Sequence, residues 1–115
     1  FEILHGYDEV LLGGLALGAK GAVGSTYNYM AGCYQNIMHE FDNGNITEAR
    51  KLQLVSVEVV EVLIKYGGGV RAGKAIMGLK GFDCGPARAP IKKFNKQELL
   101  NLRTDLEKTE FFKNK

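Results

Sequence analysis

The sequence has no tryptophan, only two prolines, two cysteines and two histidines among 115 residues, and each scarcity closes off a class of protein. Cys33 and Cys84 stand far apart with no CxxC spacing. A disulfide framework and a thiolate zinc site therefore have nothing to build on, and both thiols are expected to be buried or incidental. His5 and His39 lack the neighbours a metal site requires, so no metal is expected.

Long apolar runs are also missing. Val10–Leu17 and Val59–Ile64 are the longest, well short of the roughly 18–20 residues that span a bilayer, and no basic, apolar, small-residue leader opens the chain. A soluble, cytoplasmic protein without membrane contact is expected. Charge of one sign is lacking too: 15 basic residues against 13 acidic leave a net +2, with 7 basic against 4 acidic from residue 91 onward. That surplus is far below the basic stripe of a nucleic-acid-binding domain, and no aromatics alternate with it for base stacking. Lys20, Lys65 and Lys74 fall in loops or on helix surfaces, where an amine stays protonated and is a poor nucleophile.

Glycine is abundant, at 15 residues. Gly67-Gly68-Gly69 nevertheless follows a helical segment and matches neither GxxxxGK[ST] nor GxGxxG, so it reads as a helix connection and not a phosphate cradle. The chain opens on Phe1, not methionine, and Phe1–His5 already has the look of a strand with no lead-in. It is expected to begin in the middle of a larger fold.

Phe1–His5 is short and β-compatible, and Asp8 follows as an N-cap for a helix from Glu9 to about Leu17, with Gly18 as the left-handed residue that ends it. Gly21–Ser25 is apolar and glycine-bounded, which suits a buried parallel strand. Strand, helix and strand within so few residues make a right-handed βαβ unit of an α/β protein. Tyr34, Ile37, Met38 and Phe41 then recur at helical spacing until Asn43-Gly44-Asn45 breaks the pattern.

Asn45 with Glu48 forms an expected capping box for a long helix, supported by the pair Glu61 and Lys65. Five valines and an isoleucine between Leu54 and Ile64 favour a strand locally. The bracketing signals and the apolar face of positions 52, 55, 59, 62, 63 and 66 argue for helix. Val70–Lys80 is a further helix and Pro86–Pro90 an extended connection. A last helix is expected from Asn95, boxed by Glu98, toward Thr109.

The functional signal lies in Gly6-Tyr7-Asp8-Glu9 and Gly24-Ser25-Thr26-Tyr27-Asn28, two polar groups that follow consecutive strands and so converge on one rim. Paired carboxylates, a hydroxyl and free backbone groups suit a polyhydroxylated ligand, since each hydroxyl both donates and accepts. The same residues also fit plain helix capping, with Asp8 capping its own helix and Ser25-Thr26 the next, and Asp8 with Glu9 would serve as an acid–base pair.

Gly6-Tyr7-Asp8-Glu9 and Gly21-Ala22-Val23-Gly24-Ser25-Thr26-Tyr27-Asn28 resemble the late-barrel signature of the N-acetylneuraminate lyases, members of the dihydrodipicolinate synthase superfamily. Lys74-Ala75-Ile76-Met77 and Gly85-Pro86-Ala87-Arg88-Ala89-Pro90 resemble the family's C-terminal helical region, so the likeness runs the length of the chain. It implies an α/β fold: the last two strands of a (β/α)8 TIM barrel, with residues 1–43 as its final βα units and 44–115 as a C-terminal helical extension. It implies a lyase that splits N-acetylneuraminate into N-acetylmannosamine and pyruvate, as a homotetramer, without a cofactor.

By that resemblance the Gly6 backbone, the Asp8 and Glu9 carboxylates and the Ser25 hydroxyl bind the sugar chain. The family's Schiff-base lysine and proton-relay tyrosine come from earlier strands, which these residues do not include. No catalytic residue is therefore expected in this chain, and by itself it is expected to be inactive. Two rivals remain: a dihydrodipicolinate synthase-like pyruvate aldolase, and a non-catalytic short product that binds full-length subunits.

Overall fold

In a computed structural model, residues 1–113 are described, and they build a bundle of helices with one short extended pairing at its edge. A 3₁₀ turn at Asp8–Val10 leads into α1 (Leu11–Ala16). It is followed by α2 (Tyr27–Asp42), α3 (Ile46–Lys65), α4 (Gly68–Leu79) and α5 (Lys96–Glu107). The last two residues of the expected helical extension, 114 and 115, lie outside the described residues.

The two expected strands do not form as elements. His5 and Ala22 make an isolated parallel bridge, held by His5 N–H donating to the Gly21 carbonyl and Val23 N–H to the His5 carbonyl. The physical reason is that a parallel ladder gains stability from neighbours on both sides and from cover on both faces. This pair has neither: Phe1, Ile3, Leu4 and Val23 are all exposed. The connection nonetheless packs as the small residues predict. The His5 ring lies so close over Gly14 that a Cβ there would fall 2.4 Å from its Nδ1.

The helix ends follow their sequences. Gly18, at φ +95°, closes α1 while Ala19 N–H reaches back to the Gly14 carbonyl and Gly18 N–H to that of Leu15. This is the paired bonding that a left-handed glycine permits. Gly44 closes α2 in the same way. The expected box at Asn45 is absent: α3 has no side-chain cap, the Asn45 amide Nδ2 donates to Glu40 Oε2 at 2.8 Å, and the Glu48 carboxylate is engaged by Lys51. At α5 the box is complete, with Asn95 Oδ1 accepting from Glu98 N–H and Glu98 Oε2 from Asn95 N–H. Gly68 and Gly69, expected in a loop, already belong to α4.

The valine-rich stretch is helical, and the face set by Val59, Leu63 and Tyr66 is buried, with Leu52, Val55 and Val62 packed against it. Branching lowers helix propensity by only a few tenths of a kcal/mol per residue. Burying a Val or Leu side chain is worth about 1.5–3 kcal/mol, so packing decides. Leu11, Tyr34, Ile37, Ile76, Leu102 and Leu106 are fully buried in the same core.

Lys65 does not meet Glu61. It spans instead to Asp105 on α5, which also accepts from Tyr66 and Lys108. Residues 81–95 form no helix or strand and are pinned from α4. Arg71 donates to the carbonyls of Lys92 and Lys93 and pairs with Glu98, and its guanidinium lies over the Phe94 ring; Lys74 donates to the Cys84 carbonyl. No helix among the described residues is long and apolar enough to cross a membrane.

Candidate functional site

Asp8 sits where the bridge turns into the first helical turn, and it is only 8% exposed. It does not cap its own helix; Tyr7 holds that position. Its Oδ2 instead accepts from the backbone N–H of Thr26, at 3.1 Å, and from the Thr26 hydroxyl. Thr26 is the residue just before α2, so the carboxylate clamps the end of one extended segment to the start of the helix that follows the other. A carboxylate at a helix N-terminus meets unpaired N–H groups and the positive end of the dipole, which is why the sequence can bury a charge here.

The clamp continues inward. Thr26 Oγ1 lies 2.6 Å from Tyr34 Oη. Since Thr26 gives its only hydroxyl proton to Asp8, Tyr34 must donate to Thr26. Burial, aided by the nearby Asp8 charge, pushes the Tyr27 hydroxyl up to about 12 and raises Tyr29 further; Tyr34 is raised chiefly by burial as well. These phenols are held neutral. Gly24 is required by the clamp, since a Cβ there would fall 1.7 Å from Asp8 Oδ1. From α3, Gln53 donates to the Asp8 carbonyl and accepts from Leu12 N–H, fixing the turn from behind.

The other predicted residues are placed less closely together. Gly6 is exposed, and its Cα side faces the Val23 carbonyl. Ser25 is exposed and opens on a cavity of about 620 Å³ between the start of α2 and α4, together with Asn28, Gly69 and Met77. Half-buried Glu9 lines a different cavity, of about 340 Å³, with Phe41, Ile46 and Arg50. The structure thus joins Asp8 to the Gly24–Thr26 segment, and places Glu9 and Ser25 on separate cavities.

Sequence reading missed Tyr34, taken as an apolar helix position, and Gln53. Only the polar tip of Tyr34 within a hydrophobic run hinted at a buried partner. Among the described residues no three His, Cys, Asp or Glu side chains are grouped so as to hold a metal ion. Lys20 is exposed, while Lys65 and Lys74 are engaged with Asp105 and the Cys84 carbonyl. Burial pushes the Cys33 thiol up to about 11, so it is inert.

Residues 1–109 match the dihydrodipicolinate synthetase family. The N-acetylneuraminate lyase of Rhizobium meliloti is 41% identical over 101 residues, which cover 88% of this chain and 33% of that protein. Among solved structures, the Proteus mirabilis N-acetylneuraminate lyase superposes with a TM-score of 0.90 at 34% identity, over 96% of this chain and 37% of that one. The Ruminococcus gnavus sialic acid aldolase, in its catalytic lysine mutant, superposes with a TM-score of 0.85 at 27% identity, over 93% and 36%. The chain spans about a third of the length of the curated relatives it matches.

Proposed function

The chain belongs to the dihydrodipicolinate synthetase family, and from that premise we propose that it supplies the sugar-binding part of an N-acetylneuraminate lyase. The observation that carries this reading is the likeness, in sequence and in backbone, to lyases acting on that substrate. In this proposal residues 1–43 are the last two βα units of a barrel and 44–115 its helical extension, within a cytoplasmic homotetramer.

The reaction would run through an imine. A lysine amine condenses with the ketone of the open-chain sugar acid and expels water. A base takes the proton of the hydroxyl on the carbon β to the imine carbon. The bond between the α and β carbons breaks with its electron pair passing through a new double bond to the imine nitrogen, and N-acetylmannosamine leaves as the aldehyde. The enamine left on the lysine is protonated at its α carbon, and hydrolysis of the restored imine releases pyruvate. By the family resemblance that lysine belongs to an earlier strand, outside these 115 residues; of the lysines weighed here, Lys65 and Lys74 donate to protein acceptors and Lys20 is exposed.

This chain's part is to hold the polyol. Asp8 Oδ2 is taken up by Thr26, whereas Oδ1 receives no hydrogen bond among the described residues and is the acceptor left for a sugar hydroxyl. Clamping fixes its direction before the ligand arrives, which reduces the ordering cost of binding. The Ser25 hydroxyl and the Gly6 backbone offer further donors and acceptors, and Glu9 a second carboxylate.

The complete polypeptide that carries these residues is expected to release pyruvate from N-acetylneuraminate, followed by coupling to a pyruvate-consuming dehydrogenase. Failure to release it, with condensation of pyruvate and aspartate semialdehyde instead, would overturn the proposal in favour of a synthase.

A further inference from the structure

Tyr34 is the member of the clamp that sugar binding by Asp8 does not by itself require. It stands eight residues after Thr26 in α2, 1% exposed, with its ring stacked on Tyr27 at 4.2 Å between centroids. An apolar ring would fill the same space. Its hydroxyl nevertheless meets Thr26 Oγ1 at 2.6 Å, whereas the buried hydroxyls of Tyr27 and Tyr29 have no hydrogen-bond partner among the described residues.

The order of donors gives that bond a direction. A threonine hydroxyl has one proton to give and lone pairs with which to accept. Burial raises the Tyr34 phenol above its ordinary range, so it keeps its proton and donates it to Thr26. The Thr26 proton is then committed to Asp8 Oδ2. Hydrogen bonds that run the same way polarise and strengthen one another, so the pair fixes the carboxylate with Oδ2 taken and Oδ1 left open.

The main chain of Asp8 is held separately. Gln53 on α3 donates to its carbonyl at 3.2 Å, and the Thr26 N–H gives Oδ2 a second hydrogen bond at 3.1 Å. Removing the phenol hydroxyl therefore leaves the turn in place and loosens only the bond that aims the carboxylate.

We infer that Tyr34 is a positioning residue for sugar binding: through Thr26 it holds the Asp8 carboxylate in the orientation that meets a sugar hydroxyl, without touching the ligand. The inference rests on the reading of Asp8 as a contact for the sugar chain.

The complete polypeptide is assayed in the condensation direction, where the sugar and pyruvate are separate substrates. Tyr34→Phe keeps the ring and is expected to raise KM for N-acetylmannosamine about three- to tenfold, the scale of one buried hydrogen bond. KM for pyruvate, kcat and borohydride trapping of pyruvate should stay within about twofold of wild type, since a lost binding contact raises one KM alone. Thr26→Ser, which keeps the hydroxyl, should match wild type, and Thr26→Val should reproduce Tyr34→Phe. In the double variant Tyr34→Phe with Thr26→Val the effects should not multiply, because both cut one path. An unchanged KM for N-acetylmannosamine in Tyr34→Phe, equal shifts in both KM values, or effects that multiply overturn the inference. A Tyr34→Phe protein that fails to fold overturns it too, since Asp8 is then not held separately.

The same cycle of variants read as melting temperature needs no turnover. The double variant should melt no lower than the less stable single variant, and losses that add overturn the inference. A cycle that does not add, in a protein that neither makes nor splits N-acetylneuraminate, sustains the relay from Tyr34 to Asp8 and removes the lyase reading.

Discussion

Asp8→Ala strips the Thr26 N–H and hydroxyl of their common acceptor, and buried donors left unpaired cost about 1–3 kcal/mol. That loss should appear as a lower denaturation midpoint, with Asp8→Asn milder because its amide oxygen still accepts. Gly24→Ala forces a methyl onto the same carboxylate and should cost about 1–3 kcal/mol by overpacking. Wild-type stability in either variant would show the clamp to be ornamental. Of this arrangement the sequence makes legible that Asp8 and the Gly24–Asn28 segment belong together, since both follow consecutive extended segments. It hides the pairing itself. Asp8 reads as a cap for its own helix, and only three-dimensional placement brings it to the start of α2, beneath Tyr34.

Between elements, α3 and α5 are joined at Asp105, whose carboxyl is held well below the usual carboxylate range by hydrogen bonds from Lys108 first, then Lys65 and Tyr66. A depressed folded-state value contributes stability that is fully present above the unfolded value, near about 4, and lost as pH falls through the folded one. Asp105→Asn should therefore melt below wild type at neutral pH, and the gap should close as the pH is taken below about 4. A gap independent of pH would assign the effect to packing. The helices themselves are legible because caps, breaks and apolar spacing are local signals; even the valine-rich α3 follows from its face. The strands are not, because pairing depends on neighbours that these residues do not supply, and at Asn45 the partner that would complete the box, Glu48, pairs with Lys51 instead.

Across the whole molecule, the apolar groups flanking the His5–Ala22 pairing stand open: Phe1, Ile3, Leu4 and Val23 are all exposed, as is Leu17 at the end of α1. Apolar surface gathered in this way invites association, so the 115-residue chain alone should bind a hydrophobic dye strongly. With pyruvate and borohydride it should form no covalent adduct, and an adduct on one of its lysines would overturn the assignment of the imine-forming amine elsewhere. The grip of α4 on residues 81–95 carries a different consequence. Arg88 is exposed in a stretch without helix or strand, the kind of segment that proteases enter. The carbonyls of Lys92 and Lys93 beyond it are held by Arg71, and α5 buries Leu102 and Leu106 in the core. A single tryptic cut after Arg88 should give two bands under denaturing conditions and one particle on native gel filtration, a severed chain whose halves stay docked.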